Sequence, residues 1–404
     1  MKLSQTKLLI TLLMTLSAGL VSTHALAKLN SCNDPIVFGT TISETGVFST
    51  LAEKWRRMTE VFAEEVNKDG GVMVKACNKK IPIKFVIYDD QSVPATAVSL
   101  YERMATVDNV DFFVGPDWSS MGGPVPPLAD KHKIPMISAN VATPTLYDRG
   151  LQYFWGTPFP VVPRWSERYF DMIKTVSPQP KTIFFVVHDN PVMKGIAGFW
   201  TKKAEAQGLK IVGNETFSQE SKDFTALISK IRAARPDIVY IASFDNPSVP
   251  LVQQMRQLKV RAMDVHHTML TGSLARQVNK DVEGMTGELP WYPGVKGPYD
   301  GLVERVLQRS GVSMFDYIFT LGRIGSYLVA IQAIEKAGVV DREKVKEALF
   351  KGTFKSPAGD IKFDERGFPD NGAFAIQMQG GKVFVVWPPE VATGKLQWPA
   401  PTWQ

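Results

Sequence analysis

Short apolar runs alternate along this chain with segments whose apolar residues recur every three or four positions. The first run is residues 36–39, and the segment after it carries its apolar side chains at helical spacing. Those positions are Leu51, Trp55, Met58, Phe62 and Val66. An unbroken apolar run indicates a buried strand, whereas a period of 3.6 residues indicates a helix. The pattern therefore predicts alternating strands and helices, which is typical of an α/β fold with parallel sheets.

Two such alternating runs follow each other and predict two lobes. The predicted strands of the first run are residues 36–39, 81–88, 111–114 and 134–138. Those of the second run are residues 182–187, 209–212 and 238–242. Predicted helices at 315–337 and 342–350 follow, and three short strands at 360–363, 373–378 and 382–386 close the chain. No fixed short repeat or low-complexity linker separates the runs, so we expect short crossings between the lobes.

The first 27 residues have the organisation of a secretory signal peptide. Lys2 and Lys7 precede an apolar stretch at residues 8–21, and Ala25-Leu26-Ala27 forms a small-residue cleavage box. The stretch is shorter than the roughly 20 residues that favour a membrane span. We therefore expect an exported, soluble protein in the periplasm. An uncleaved anchor, or a lipoprotein modified at Cys32, are the alternatives.

Composition supports a globular binding domain. Of 404 residues, 44% are hydrophobic and 21% are charged, and the formal net charge of +6 is weak support for a nucleic-acid partner. The two cysteines, Cys32 and Cys77, can pair in an oxidising compartment. A disulfide would connect the start of the first strand to the loop before the second, and two buried thiols are the alternative.

Catalytic motifs are absent from the sequence. The dinucleotide-binding glycine pattern, the P-loop, the Gly-x-Ser-x-Gly elbow and the His-Glu-x-x-His zinc motif are all missing. Asp264, His266 and His267 have the chemistry of metal ligands, but adjacent residues of a strand point to opposite faces. We therefore expect a binding protein without a metal, a cofactor or a reaction of its own.

Ligands of open α/β sheets bind beyond the carboxyl ends of the strands, so the loops there are the candidate site. In the first lobe these loops are residues 115–123 and 138–144. A serine hydroxyl and backbone amides at a helix start can hold a carboxylate. In the second lobe the corresponding loops are residues 188–194, 244–247 and 266–271.

Several segments resemble the type I periplasmic solute-binding proteins, and most closely the Leu/Ile/Val-binding protein family of ABC importers. They are VNKDGGV at 66–72, YDDQSVP at 88–94 with Ala97-Val98, IPMIS at 134–138 with Arg149-Gly150, and DFTALI at 223–228. Their order and spacing match the family over nearly the whole mature chain.

The resemblance implies two Rossmann-like lobes joined by three hinge crossings, near Thr157, Met285 and Pro357. The N-terminal lobe would comprise residues 28–157 and 286–356, and the C-terminal lobe residues 158–285 and 357–404. The ligand would be trapped between them when the hinge closes. An inner-membrane permease would be the partner of a monomeric binding protein.

The resemblance also implies individual ligand-binding positions. In the first lobe the carboxylate-binding serine falls on Ser119, beside Asp117, Trp118 and Ser120. The family's backbone-binding site in the next loop falls near Asn140. The family's hydroxyl residue falls on Ala142, where this chain has no hydroxyl, and Thr143 follows one place later. In the second lobe, the family's tyrosine that covers the ligand falls on Met193. A second aromatic residue of the family falls on Phe244 or Asp245. The acid that pairs with a ligand ammonium falls on His266 or His267.

This last departure bears on the ligand. A buried ammonium needs an opposite charge, and the expected acid is a histidine in this sequence. We therefore expect an aromatic or other organic acid without an α-ammonium, which contacts Trp118, Phe244 and Met193. A branched-chain-type amino acid paired with Asp117 or Asp245, an amide or urea-like ligand, and a sensing role beside a receptor or sensor kinase are the alternatives.

Overall fold

The computed structural model describes residues 32–49, 52–156, 160, 162–291, 297–312 and 319–403. The expected signal peptide and the expected crossing near Thr157 lie outside these residues. Within the described ranges, no helix combines the length and the apolar character needed to cross a bilayer.

The first lobe is built on a parallel sheet. Its strands are β1 (Ile36–Ile42), β4 (Ile83–Asp89), β5 (Phe112–Val114), β6 (Met136–Ile137) and β7 (Phe154–Trp155), in the spatial order β4-β1-β5-β6-β7. A hairpin of β2 (Val72–Val74) and β3 (Lys79–Ile81) stands beside it. The strands read as continuous apolar runs because helices cover both faces of the sheet.

The second lobe has a larger, mixed sheet. Its parallel strands are β8 (Thr182–His188), β9 (Lys210–Phe217), β10 (Ile238–Ala242), β11 (Asp264–His267) and β12 (Thr286–Leu289). Antiparallel β15 (Phe374–Gln379) and β16 (Lys382–Trp387) extend it, giving the order β16-β15-β12-β11-β10-β8-β9. The predicted strand at 360–363 is instead part of a separate hairpin of β13 (Phe354–Ser356) and β14 (Gly359–Ile361).

Helices flank both sheets. They are α1 (Trp55–Lys68), α2 (Pro94–Thr106), α3 (Ser119–Gly122), α4 (Pro127–His132), α5 (Val162–Trp165), α6 (Glu167–Ile173), α7 (Pro191–Ala206), α8 (Thr225–Ala234), α9 (Asp245–Gln257), α10 (Gly272–Val278), α11 (Asp300–Ser310), α12 (Thr320–Ala337) and α13 (Arg342–Lys351). Helix α12 is buried from Thr320 to Ile334 and lies in the first lobe, although it comes late in the chain.

Two hydrophobic cores define the lobes. The first core takes residues between Ile36 and Trp155 and between Val303 and Phe368, and the second takes the remainder, from Trp165 to Leu289 and from Phe374 onward. The chain therefore crosses three times. The second crossing lies after Leu289 rather than near Met285, because both residues are in the second core. The third lies after Phe368 rather than near Pro357, because residues 358–368 pack into the first core.

Cys32 and Cys77 form a disulfide across a sequence separation of 45 residues, with their Cα atoms 5.5 Å apart. The bond attaches the segment before β1 to the turn between β2 and β3. In the described part of the chain, no cysteine is left free.

Candidate functional site

The carboxyl ends of the first-lobe strands place two polar loops side by side. One follows β5 and contains Asp117, Trp118 and Ser119, and the other follows β6 and contains Asn140 and Ala142. Because β5 and β6 are parallel neighbours, their carboxyl ends meet at one edge of the sheet. This edge is where an open α/β sheet binds its ligand.

Ser119 has a hydroxyl hydrogen available for a ligand. Its Oγ accepts a hydrogen bond of 3.2 Å from the backbone amide of Ala142, which fixes the hydroxyl between the two loops. A serine hydroxyl accepts and donates independently. Among the described residues no acceptor takes its hydrogen, so Ser119 can donate to a ligand oxygen. Ser120 lies next to it and is exposed, whereas Thr143 is partly buried beside Ala142.

A buried ion pair between Asp117 and Arg323 stabilises these two loops. Asp117 accepts a hydrogen bond of 2.7 Å from the Nδ2 of Asn140 and a second one from the guanidinium of Arg323. The side chains of Arg323 and Asp117 are 0% and 1% exposed. Arg323 also donates to the Thr41 carbonyl at 2.7 Å and to the Oγ1 of Thr40 at 3.1 Å. It therefore connects α12, the end of β1 and the loop after β5, and Asn140 joins the loop after β6 to the same carboxylate.

Gly322 lets helix α12 approach the loop after β6. A Cβ at this position would lie 2.1 Å from the Ala139 carbonyl oxygen and 2.3 Å from the Oδ1 of Asn140. Only a residue without a side chain allows this approach. The neighbouring Arg323 is thereby brought within reach of Asp117.

Trp118 belongs to an aromatic cluster at the same edge. Its ring stacks on Phe48 at a centroid distance of 4.6 Å and on Trp55 at 5.6 Å, and Phe319 meets it edge-on at 5.5 Å. The Nε1 of Trp118 donates to the Oγ of Ser43 at 3.1 Å. Phe48 is only partly buried, and Phe319 packs against both cores. The cluster therefore presents aromatic surface where the lobes meet.

In the second lobe, Phe244 and Asp245 lie at the corresponding edge. Helix α9 begins at Asp245, directly after β10, and both side chains are partly buried. The Oγ1 of Thr271, in the loop after β11, donates to the Asp245 carboxylate. Met193 is 0% exposed and packs in the second core, with its sulfur 4.0 Å from the Oγ1 of Thr268. Its side chain is thus a component of that core.

The two histidines lie inside strand β11 and are both 0% exposed. The Nδ1 of His267 accepts from the Met269 amide at 3.0 Å, so its Nε2 carries the proton and donates to the Oγ of Ser248 at 2.8 Å. Burial lowers the pKa of His267 to about 3. The ring of this histidine is therefore neutral at physiological pH.

His266 belongs to a buried polar cluster of the second lobe. Its Nδ1 is 2.9 Å from the Oγ1 of Thr286, and its ring stacks on Tyr169 at 3.6 Å. Burial lowers its pKa well below the usual value for histidine. Neither histidine therefore supplies charge to a ligand at neutral pH in this arrangement.

Two acids complete that cluster, and sequence reasoning missed their role. Asp264 accepts from the hydroxyl of Tyr169 at 2.8 Å and from that of Thr286 at 2.6 Å, and burial raises its pKa to about 6. Glu288 accepts from the Oγ of Ser166 at 2.8 Å, and burial raises its pKa well above the usual value. Both carboxyl groups are 0% exposed. The sequence pattern predicted neither β11 nor β12, so it gave no signal that these two acids would be buried together.

The structure thus brings together Asp117, Trp118, Ser119, Asn140 and Ala142 in the first lobe. It places Phe244 and Asp245 at the facing edge of the second lobe, and Met193, His266 and His267 inside it. Within the described ranges, no group of three or more metal-ligating side chains is assembled.

Comparisons with known proteins agree with this architecture. The family model described as "Periplasmic binding protein" matches residues 35–382. The leucine-, isoleucine-, valine-, threonine- and alanine-binding protein of Pseudomonas aeruginosa is 30% identical, covering 82% of this chain and 86% of that protein.

Solved structures share the fold. A putative branched-chain amino acid ABC transporter protein from Silicibacter pomeroyi has a TM-score of 0.79 at 15% identity, covering 92% of this chain and 100% of that one. An R. palustris ABC-transporter solute-binding protein, solved with benzoate, has a TM-score of 0.66 at 18% identity and covers 91% and 97%.

Proposed function

This chain belongs to the Leu/Ile/Val-binding protein family of type I periplasmic binding proteins, and we propose that within this family it captures a small carboxylate between its lobes. Hinge closure would then present the loaded protein to an ABC permease in the inner membrane. In this proposal the protein is exported to the periplasm, acts as a monomer and catalyses no reaction. Its contribution is a higher affinity for the ligand in the closed form.

The Ser119 hydroxyl carries the proposal. Its oxygen is fixed by the Ala142 amide, and its hydrogen has no acceptor in the described part of the chain. A carboxylate is the acceptor that a fixed neutral donor at this edge would bind most strongly, because a hydrogen bond to a charged group is roughly twice as strong as a neutral one.

The apolar part of the ligand would contact the aromatic cluster. Phe48 and Trp118 offer stacked rings in the first lobe, and Phe244 lies at the edge of the second. Aromatic surface of this kind favours a planar or branched apolar group.

We propose that the ligand lacks an α-ammonium group. The Asp117 carboxylate is already paired with Arg323 and Asn140 inside the first lobe. His266 and His267 lie in the core of the second lobe and are neutral. An ammonium buried without an opposite charge is strongly disfavoured. The R. palustris relative that was solved with benzoate is a precedent for an aromatic acid in this fold.

A branched-chain-type amino acid is the second candidate. Asp245 is partly buried at the second-lobe edge, where a carboxylate could pair with an ammonium. The 30% identical relative from Pseudomonas aeruginosa is named for such ligands.

The deciding experiment is a thermal-shift screen with matched ligand pairs. Each pair has the same carbon skeleton with and without the amino group: phenylalanine with 3-phenylpropanoate, and leucine with 4-methylpentanoate. Benzoate and benzamide extend the panel. A ligand at 100 times its Kd adds about 2.7 kcal/mol to the free energy of unfolding.

We expect the deaminated acids or benzoate to stabilise the protein more than the amino acids. Stabilisation by the amino acids alone, lost in Asp245→Asn, would overturn this choice in favour of the second candidate. Stabilisation by benzamide and none of the carboxylates would contradict the carboxylate site itself.

A further inference from the structure

The buried polar cluster of the second lobe is a chain of hydrogen bonds whose hydrogen atoms can be assigned from one end. Thr286 donates from its Oγ1 to the Asp264 carboxylate at 2.6 Å, so its hydroxyl hydrogen is already used. The Nδ1 of His266, 2.9 Å from that Oγ1, must therefore donate to it. The hydrogen of the neutral imidazole ring is thus on Nδ1. Its Nε2 is left as an acceptor.

The other end of the chain also leads to an acceptor. The hydroxyl of Tyr240 is hydrogen-bonded to that of Ser166, and Ser166 donates to the Oε2 of Glu288 at 2.8 Å. This Oε2 lies 3.5 Å from the Nε2 of His266, and both side chains are 0% exposed. In the described part of the chain, the Nε2 of His266 and the Oε1 of Glu288 have no hydrogen-bond partner. Two buried acceptors therefore face each other.

No fixed positive charge compensates the Glu288 carboxylate. Among the residues that the structure describes, His266 is the only basic side chain within 4.0 Å of it. Ala375 of β15 lies opposite Glu288, and the guanidinium of Arg168 lies over the ring of Phe374 instead. An ionised carboxylate buried without a cation is strongly disfavoured. The pair of Glu288 and His266 is therefore one proton short.

The groups around the pair do not supply this proton. The titratable side chains that interact with the pair or with its hydrogen-bond partners belong to three elements, and they are Tyr169 on α6, Tyr240 on β10, and Asp264 and His267 on β11. Tyr169 already donates to Asp264, and the hydroxyl of Tyr240 is bonded to Ser166. The missing proton must therefore come from solvent.

We infer that the second lobe binds one proton between His266 and Glu288. The proton belongs to the Glu288 carboxyl group, which donates to the Nε2 of His266 as a neutral pair. Donation then runs in one direction from Tyr240 through Ser166, Glu288 and His266 to Thr286 and Asp264. Burial favours the neutral form, because it raises the pKa of Glu288 and lowers that of His266.

The proton site joins the segments by which the chain enters and leaves the second lobe. Ser166 directly precedes α6, at the start of the second core, and Glu288 directly precedes Leu289, after which the chain crosses back. Loss of the proton would leave a buried, unpaired carboxylate between these segments. Alkaline pH should therefore destabilise the lobe beside the hinge. The site is separate from the Ser119 edge and does not depend on the ligand proposed there.

The sign of the pH dependence follows from counting protons. Above pH 7 the folded protein holds the proton on Glu288, whereas the unfolded chain has released it. The equilibrium constant for unfolding should then gain about a tenfold increase per pH unit, for as long as the folded pair keeps its proton. In Glu288→Gln an amide N–H can donate to the Nε2 of His266 at any pH, so this contribution should disappear.

The test is urea unfolding, monitored by circular dichroism at several values between pH 7 and pH 8.5. The proteins are the wild type, Glu288→Gln and Glu205→Gln, an exposed change of the same kind on α7. We expect the ratio of the unfolding constants of the wild type and Glu288→Gln to rise about tenfold per pH unit. Glu205→Gln should follow the wild type. A ratio that does not change with pH would overturn the inference.

Proton counting tests the inference even if Glu288→Gln does not fold. When the wild type is unfolded at pH 8 in weakly buffered urea, a pH indicator should report the release of about one proton. Asp264 contributes none, because its pKa of about 6 leaves it ionised in both states. Release of no proton by the wild type, or of one proton by a folded Glu288→Gln variant as well, would contradict the site.

Discussion

The carboxylate of Asp117 accepts a hydrogen bond from the guanidinium of Arg323 in the interior of the first lobe, 206 positions away in the sequence. Both side chains are almost completely excluded from solvent. Asp117 lies two residues before Ser119, in the same loop. The pair therefore fixes the loop that carries Ser119, the residue proposed to donate a hydrogen bond to the ligand carboxylate. It also explains why Asp117 is not available to a ligand ammonium.

Removing Arg323 is expected to destabilise the protein strongly. In Arg323→Met the Asp117 carboxylate stays buried without its opposite charge, which typically costs about 3–5 kcal/mol. Urea unfolding monitored by circular dichroism measures this loss. Arg57→Met is the control, because Arg57 forms exposed ion pairs with Glu60 and Glu64, worth about 0–1 kcal/mol.

A double variant separates the charge from the packing. In Arg323→Met/Asp117→Leu no unpaired charge remains, so we expect it to recover part of the lost free energy of unfolding. If Arg323→Met lost no more stability than Arg57→Met, the ion pair would not have the role described.

The buried acid Asp264 is expected to make stability depend on pH. Burial raises its folded-state pKa from an ordinary value of 3.8 to about 6. Between these values the folded protein holds a proton that the unfolded chain has released. The contribution of Asp264 to the free energy of unfolding therefore falls as pH rises from about 4 to about 6, whereas His266 and His267, whose pKa values are lowered, contribute with the opposite sign. Glu288 contributes with the same sign as Asp264, since its pKa is also raised.

In urea unfolding at pH 4, 5, 6 and 7, the free energy of unfolding of the wild type should fall over this interval relative to that of Asp264→Asn. Glu205→Gln, an exposed change on α7, should follow the wild-type curve. Identical slopes for Asp264→Asn and the wild type would show that this carboxyl group is not perturbed by burial.

Local pattern was sufficient for much of the fold. The apolar runs predicted β1, β4, β5 and β10, because buried parallel strands are continuous in sequence. The second and third crossings were predicted too early, since Leu289 and the hairpin β13–β14 join their cores through contacts that no local signal specifies.

The candidate site was predictable only in part. The loops at Ser119 and Asn140 follow strands directly, so their position at the sheet edge could be inferred. The Arg323–Asp117 pair could not, because it joins residues from opposite ends of the chain. His266 and His267 were expected in a ligand-binding loop, but both residues lie within strand β11. No strand was predicted there, because the sequence of β11, Asp-Val-His-His, contains no apolar run.

The measurement that tests the central claim most directly compares Ser119→Ala with Ser120→Ala. Both are single hydroxyl deletions in adjacent residues, but only Ser119 is fixed by the Ala142 amide at the sheet edge. Calorimetric titration uses the carboxylate that stabilises the wild type most in the ligand screen. We predict that Ser119→Ala weakens binding by about 1–3 kcal/mol, the cost of losing a buried hydrogen bond to a charged group, while Ser120→Ala binds like the wild type. Equal affinities in all three proteins would contradict a carboxylate site at Ser119.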